Sequence, residues 1–140
     1  VYYGSSSGWS VTLTLSGLDP TKTYTFATTA NRNNASYTTR VTRFTISGAD
    51  YFVNASTAGT IISNGGASTA FNTGDNTANG YVARWTQISP GLDGQIQFMA
   101  IPDGAEYRAY AFSVFQVIEV PEPASVALLV FGALGLRRRR

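Results

Sequence analysis

The sequence predicts an all-β protein: an antiparallel β-sandwich or barrel over residues 1–119, followed by a single C-terminal hydrophobic helix within residues 120–140. Three observations carry that expectation. Apolar and polar residues alternate at a period of two in run after run, the pattern of strands with one buried face. Turn signals built on Gly, Pro, Asn and Asp recur about every 8 to 12 residues, the spacing of sandwiches and barrels. No stretch before Ala124 has a helical period, whereas the run that starts there is apolar on every face.

Taken in order, Trp9, Val11, Leu13 and Leu15 alternate with Ser10, Thr12 and Thr14 and predict a half-buried strand. Ser16-Gly17-Leu18-Asp19-Pro20 breaks it, with Pro20 suited to the second position of a turn. Residues 23–30 resume the alternation through Tyr24 and Phe26, and Asn31-Arg32-Asn33-Asn34 predicts a loop. A β-branched, aromatic run covers 37–47. There the opposite parity of Val41 to Phe44 and Ile46 predicts a bulge or a strand covered on both faces. Residues 51–54 and 60–63 are short strand candidates, and 64–80 is the longest polar stretch, with Phe71 as its large apolar anchor. Residues 81–88 are strand-like around Val82 and Trp85. The Pro90-Gly91-Leu92-Asp93-Gly94 turn leads into 95–101, where Ile96 and Phe98 alternate with Gln95 and Gln97. After Pro102-Asp103-Gly104, residues 107–120 are apolar at both parities, which predicts a central strand covered on both faces. One domain with one core accounts for this length.

The chain has no cysteine and no histidine, so catalytic triads, zinc sites and thioredoxin-type redox chemistry are excluded within these residues. Absence of cysteine, with 13% aromatic and 13% charged residues, suits export. A carboxylate pair of the glycosidase type is the acid–base chemistry left open. Asp93, Asp103 and Glu106 are its candidates, but each lies in or beside a turn, where capping is the stronger explanation. Asp75-Asn76-Thr77-Ala78-Asn79-Gly80 imitates part of a calcium loop, with Thr at position three and Thr86 where a bidentate Glu belongs. The sequence therefore leaves room for a structural calcium on Asp75 and backbone carbonyls, and it implies no other cofactor. The net charge of +2 belongs to the end of the chain. Without its four terminal arginines, residues 1–120 carry six basic and seven acidic side chains, a net −1. A near-neutral body with dispersed charges binds no nucleic acid.

Exposed aromatics are the usual platforms for sugars. Tyr2, Tyr3, Trp9, Tyr37, Tyr51 and Tyr81 lie near strand starts or loops, although Trp9 and Trp85 each continue an alternating face and read better as core. Asn34-Ala35-Ser36 and Asn54-Ala55-Ser56 match the glycosylation acceptor pattern. The threonine rows at Thr12 and Thr14, and at Thr21, Thr23 and Thr25, follow no long fixed repeat and read as solvated strand faces.

The last twenty-one residues have three parts in fixed order. Val120, Pro121, Glu122 and Pro123 form an extended spacer, because proline lacks an amide donor and drives the preceding residue out of the helical region. The run from 124 to 136, with Ala124, Leu128, Leu129, Val130, Phe131, Leu134 and Leu136, has one polar side chain, Ser125. As a helix it rises roughly 20 Å against a hydrocarbon core of about 30 Å. Arg137, Arg138, Arg139 and Arg140 close the chain, where they can snorkel to headgroups and, as the positive flank, stay on the cytoplasmic side with the body outside.

This order resembles the PEP-CTERM sorting signal of exported bacterial proteins, also catalogued as an ice-binding-protein C-terminal motif. The resemblance covers residues 120–140 only. It implies an exosortase-type processing protease, a membrane-embedded cysteine protease or transpeptidase, acting near Pro121-Glu122-Pro123, with transient inner-membrane anchoring and delivery to the cell surface or extracellular matrix. Val1 is not a start methionine and no basic, apolar leader follows it, so the expectation is a fragment of a longer precursor whose sandwich keeps an open edge. The G-L-D-P-T-K-T-Y-T-F run at 17–26, L-D-G-Q-I at 92–96 and A-Y-A-F-S-V-F-Q-V-I-E-V at 109–120 make the body similar to secreted bacterial jelly-roll, galactose-binding-like and carbohydrate-binding domains. The functional expectation is a non-enzymatic surface module with a structural, adhesive or glycan-associated role and an extracellular polysaccharide as partner. The alternative is an accessory fragment of a secreted glycan-active enzyme whose catalytic part lies upstream of Val1.

Overall fold

A computed structural model describes residues 3–4, 6, 8–104 and 107–121. All regular structure in them is antiparallel strand apart from one 3₁₀ turn at Asn64–Gly66. The strands are β1 (Tyr3–Gly4), β2 (Val11–Leu15), β3 (Thr23–Thr29), β4 (Val41–Ser47), β5 (Ala49–Asn54), β6 (Ile61–Ser63), β7 (Ser68–Asn72), β8 (Ala83–Pro90), β9 (Ile96–Pro102), β10 (Ala109–Tyr110) and β11 (Val114–Val120). The expected C-terminal helix falls outside the described residues. Among them, no helix is long and apolar enough to cross a membrane.

The strands form a four-stranded sheet in the order β11-β3-β8-β5, a five-stranded sheet in the order β2-β9-β4-β7-β6, and a small β1-β10 pair. From β2 to β5 and again from β7 to β9, each successive strand changes sheet, the alternation found in jelly rolls. Period-two patterning then fills the space between the sheets. β3 points Tyr24, Phe26 and Thr28 inward, β4 points Thr42, Phe44 and Ile46, and β9 points Ile96, Phe98 and Ala100. Phe26 of one sheet stacks on Phe98 of the other with ring centroids 3.5 Å apart, and Trp85 meets Phe98 at 5.8 Å. Trp85 is fully buried, with its indole N–H donating to the Gly66 carbonyl at 2.9 Å. Trp9 is also core. Its N–H donates to the Tyr107 carbonyl at 2.8 Å, and its ring lies so close over Gly4 that a Cβ there would sit 2.2 Å away.

Three expectations are corrected. Residues 107–120 are not a central strand. They divide into β10 and β11, and β11 is the edge of the four-stranded sheet, exposed at all seven positions and paired only with β3 among the described strands. Apolar residues at both parities arise equally where a strand has cover on both faces and where it lies beyond the cover, so apolarity alone does not separate the two. The polar stretch 64–80 contains β7, which lies between β4 and β6. Its Ser68, Thr69 and Ala70 are small and buried, and long-range pairing overrides their weak strand propensity. Val41 sits in neither a bulge nor a doubly covered strand. β4 keeps an unbroken register with both neighbours, and Val41 is half-buried on its outer face.

Because the Phe26–Phe98–Trp85 cluster joins the two layers, Phe98→Ala is expected to cost about 3–5 kcal/mol of stability. Leu92→Ala, on an exposed turn, should change it by about 0.5 kcal/mol or less. Urea unfolding followed by tryptophan fluorescence measures both.

Candidate functional site

The outer face of the four-stranded sheet carries the features that packing does not explain. β8 has a bulge. Tyr24 pairs with Ile88 but Phe26 with Trp85, so β8 spends one extra residue, and its pairing with β5 shifts on either side of Tyr51. Gln87 takes a left-handed backbone (φ 51°), uncommon for a residue with a side chain. Bulges of this kind re-aim side chains. Here Trp85 and Ile88 both face the core while Gln87 turns outward. Gln87 and Ser89 then line, with Tyr51, Thr21, Thr23, Val120 and Pro121, an open groove of about 490 Å³. Tyr51 is 55% exposed there. Farther along the same face, Thr29, Arg84 and Gln116 line a second groove of about 450 Å³.

The first groove is also where the chain leaves the sandwich. β11 runs in unbroken register with β3 to its last residue, Val120 opposite Thr23, and Pro121 follows immediately. Beside this exit Lys22 forms an ion pair with Glu119. The hydrogen bond to Glu119, and then its charge, hold the Lys22 ammonium above the ordinary lysine pKa. In the same turn the Thr21 hydroxyl and amide donate to Asp19 and hold that carboxyl below its ordinary value.

The opposite end of the sandwich is built for order. Arg40 is buried, with its guanidinium 3.2 Å from the centroid of Tyr37, 5.6 Å from those of Tyr3 and Tyr110, and bonded to the Tyr110 hydroxyl. Asn76 ties the 73–82 loop down by donating to Thr29 and the Tyr81 carbonyl and accepting from the Tyr81 amide. Asp75 accepts the Thr77 amide at 3.3 Å, the local bond of a turn. Among the described residues, no three acidic side chains cluster as a metal site would require.

The structure scatters the remaining candidates. Asp93 accepts the Gln95 amide in its turn, Asp103 is paired with Arg43 on the outer face of the five-stranded sheet, and Glu106 lies outside the described residues. Tyr3 and Tyr37 are spent on Arg40, Tyr81 packs 6.0 Å from Phe71, and Tyr2 is outside the described residues. Among the described aromatic platforms, Tyr3 and Tyr51 are exposed, and Tyr51 lines a groove. Asn54 is committed to Gly66 and Thr69, and Asn34 caps the amide of Ser36. Sequence reasoning missed Gln87 and Ser89. The signal was present, since Trp85 and Ile88 are three apart and cannot both face inward from a regular strand.

Of the tail, Val120 and Pro121 are described. Glu122, Pro123, the apolar run and the four arginines are not. Compared with known proteins, residues 119–140 match the PEP-CTERM protein-sorting motif. Neither a curated relative nor a solved structure matches the chain. The chain thus carries a sorting signal of the kind that exosortases recognise, which implies export through membrane-associated sorting.

The Lys22–Glu119 clasp has a definite pH signature. Because its folded pKa is raised, Lys22 contributes stability that is fully present below the ordinary lysine value of 10.5 and disappears as pH rises through the raised one. The thermal midpoint of the native protein should exceed that of Lys22→Met by a small margin at pH 8, and the difference should close at strongly alkaline pH.

Proposed function

We propose that this protein is an exported, non-enzymatic β-sandwich, anchored briefly in the inner membrane and then released to the cell surface or extracellular matrix. There it serves as a structural or adhesive module associated with polysaccharide. The observation that carries the reading is the sorting motif over residues 119–140. A run of thirteen positions with one polar side chain falls about seven residues, or about 10 Å, short of a full span, which suits a temporary anchor better than a permanent one. Processing near Pro121-Glu122-Pro123 by the exosortase separates that run and Arg137, Arg138, Arg139 and Arg140 from the body.

The binding role is supported by the groove beside the chain exit. Tyr51 offers an exposed ring, and Gln87, Ser89 and Thr23 supply amide and hydroxyl groups around it, the amphipathic lining that polysaccharides require. A non-enzymatic reading is supported by Asp93 and Asp103, each engaged in a turn or ion pair at separate places.

Two experiments test the proposal. Expressed from the full precursor in a host with its exosortase, the mature surface protein should have lost the arginines by mass. Changing Pro121, Glu122 and Pro123 to alanine should leave insertion intact and block release. Mature protein that still carries the arginines would refute processing. Separately, Tyr51→Ala should weaken retention on the host's extracellular polysaccharide by about 1 kcal/mol, several-fold in affinity, with the unfolding midpoint unchanged.

A further inference from the structure

The link between the sandwich and the apolar run is short. β11 stays paired through Val120, and the run begins at Ala124. Four residue steps of fully extended chain reach at most about 14 Å. A strand the length of β3, seven residues, measures about 23 Å. Whatever holds the run therefore holds the exit end of the sandwich near it, while the far end of β3 can lie up to a strand length farther off.

Register fixes what else lies at the exit end. β8 is antiparallel to β3 with Ile88 opposite Tyr24, so the turn that follows β8 projects beside the exit. Leu92, in that turn, is 96% exposed, more than any other large hydrophobic side chain described. The turn is held firmly. The Gly94 amide donates to the Gly91 carbonyl at 2.9 Å, and the Leu18 amide donates to the Gly94 carbonyl at 3.1 Å. Gly94 has φ +61°, and a Cβ there would lie 2.5 Å from the Leu18 carbonyl oxygen, so the turn admits only glycine at that position.

We infer that, while the tail is anchored, this end of the sandwich rests on the lipid surface with Leu92 at the boundary between headgroups and acyl chains. The inference rests on reading residues 124–136 as a membrane segment. Asp19, Asp50 and Asp93 are exposed at the same end, and ionised carboxylates resist entry into lipid. They limit the contact to Leu92 and stop the end from sinking. A single leucine does not hold a folded domain on a bilayer, since even a myristoyl chain gives only marginal, reversible binding. The contact ends when the tail is removed.

The chain has no cysteine, so one introduced cysteine takes one label. Leu92→Cys, Ala78→Cys in the far loop and Val114→Cys at the far end of β11 would each carry an environment-sensitive fluorophore. The full chain is then reconstituted in vesicles of phosphatidylethanolamine and phosphatidylglycerol containing spin-labelled lipid. The expected result is a blue shift and strong quenching at position 92, with neither at 78 nor at 114. Protein that floats with the vesicles but is unquenched at 92 overturns the inference alone. Quenching at 114 equal to that at 92 lays the sandwich on its side and also overturns it. Protein that does not float with the vesicles overturns the membrane reading of the tail, and the inference falls with it.

Discussion

The stack of Phe26 on Phe98 is the interaction on which the rest of the molecule depends. It joins the middle of β3 to the middle of β9, one from each sheet, and Trp85 closes on the pair from β8. Each sheet has an inner face that gains stability only when the other covers it, and these three rings are among the largest fully buried side chains of that cover. Once β3 is fixed, β11 is fixed beside it by seven register pairs, and with β11 the point at which the chain departs. The position of the exit is thus a consequence of aromatic packing well inside the domain.

Most of this was legible in the residues. Strict alternation in 11–15, 23–30 and 95–101 gave the right strands and the right inward residues, because a period of two has one physical meaning when one face is buried. The sorting motif was legible for a different reason: proline, an apolar run with one polar side chain and clustered arginine each act locally, without help from a fold. The misreadings arose where the outcome depends on distant partners. Ser68, Thr69 and Ala70 carry little strand signal and become a strand because β4 and β6 lie on either side. The sequence of β11 does not record that it lies at an edge.

The groove at Tyr51 belongs to the same class. Tyr51 was visible as an aromatic near a strand start, but its companions Gln87 and Ser89 reach it only through the bulge in β8. Two inward residues three apart in one strand are the local trace of such a bulge. The groove and the chain exit share Val120 and Pro121 as walls, so the surface that could meet a ligand and the segment that is processed are one piece of structure.

The two ends of the sandwich also differ in how they hold a cation, and this sets how each responds to its surroundings. Lys22 is held by a carboxylate, in an exposed ion pair that salt screens. Arg40, itself buried, is held by the faces of Tyr37, Tyr3 and Tyr110 and by a phenol oxygen, none of them a charged partner. Salt therefore weakens the exposed Lys22 contact, at the pole from which the chain departs, more than it weakens the contacts of the buried Arg40 at the other.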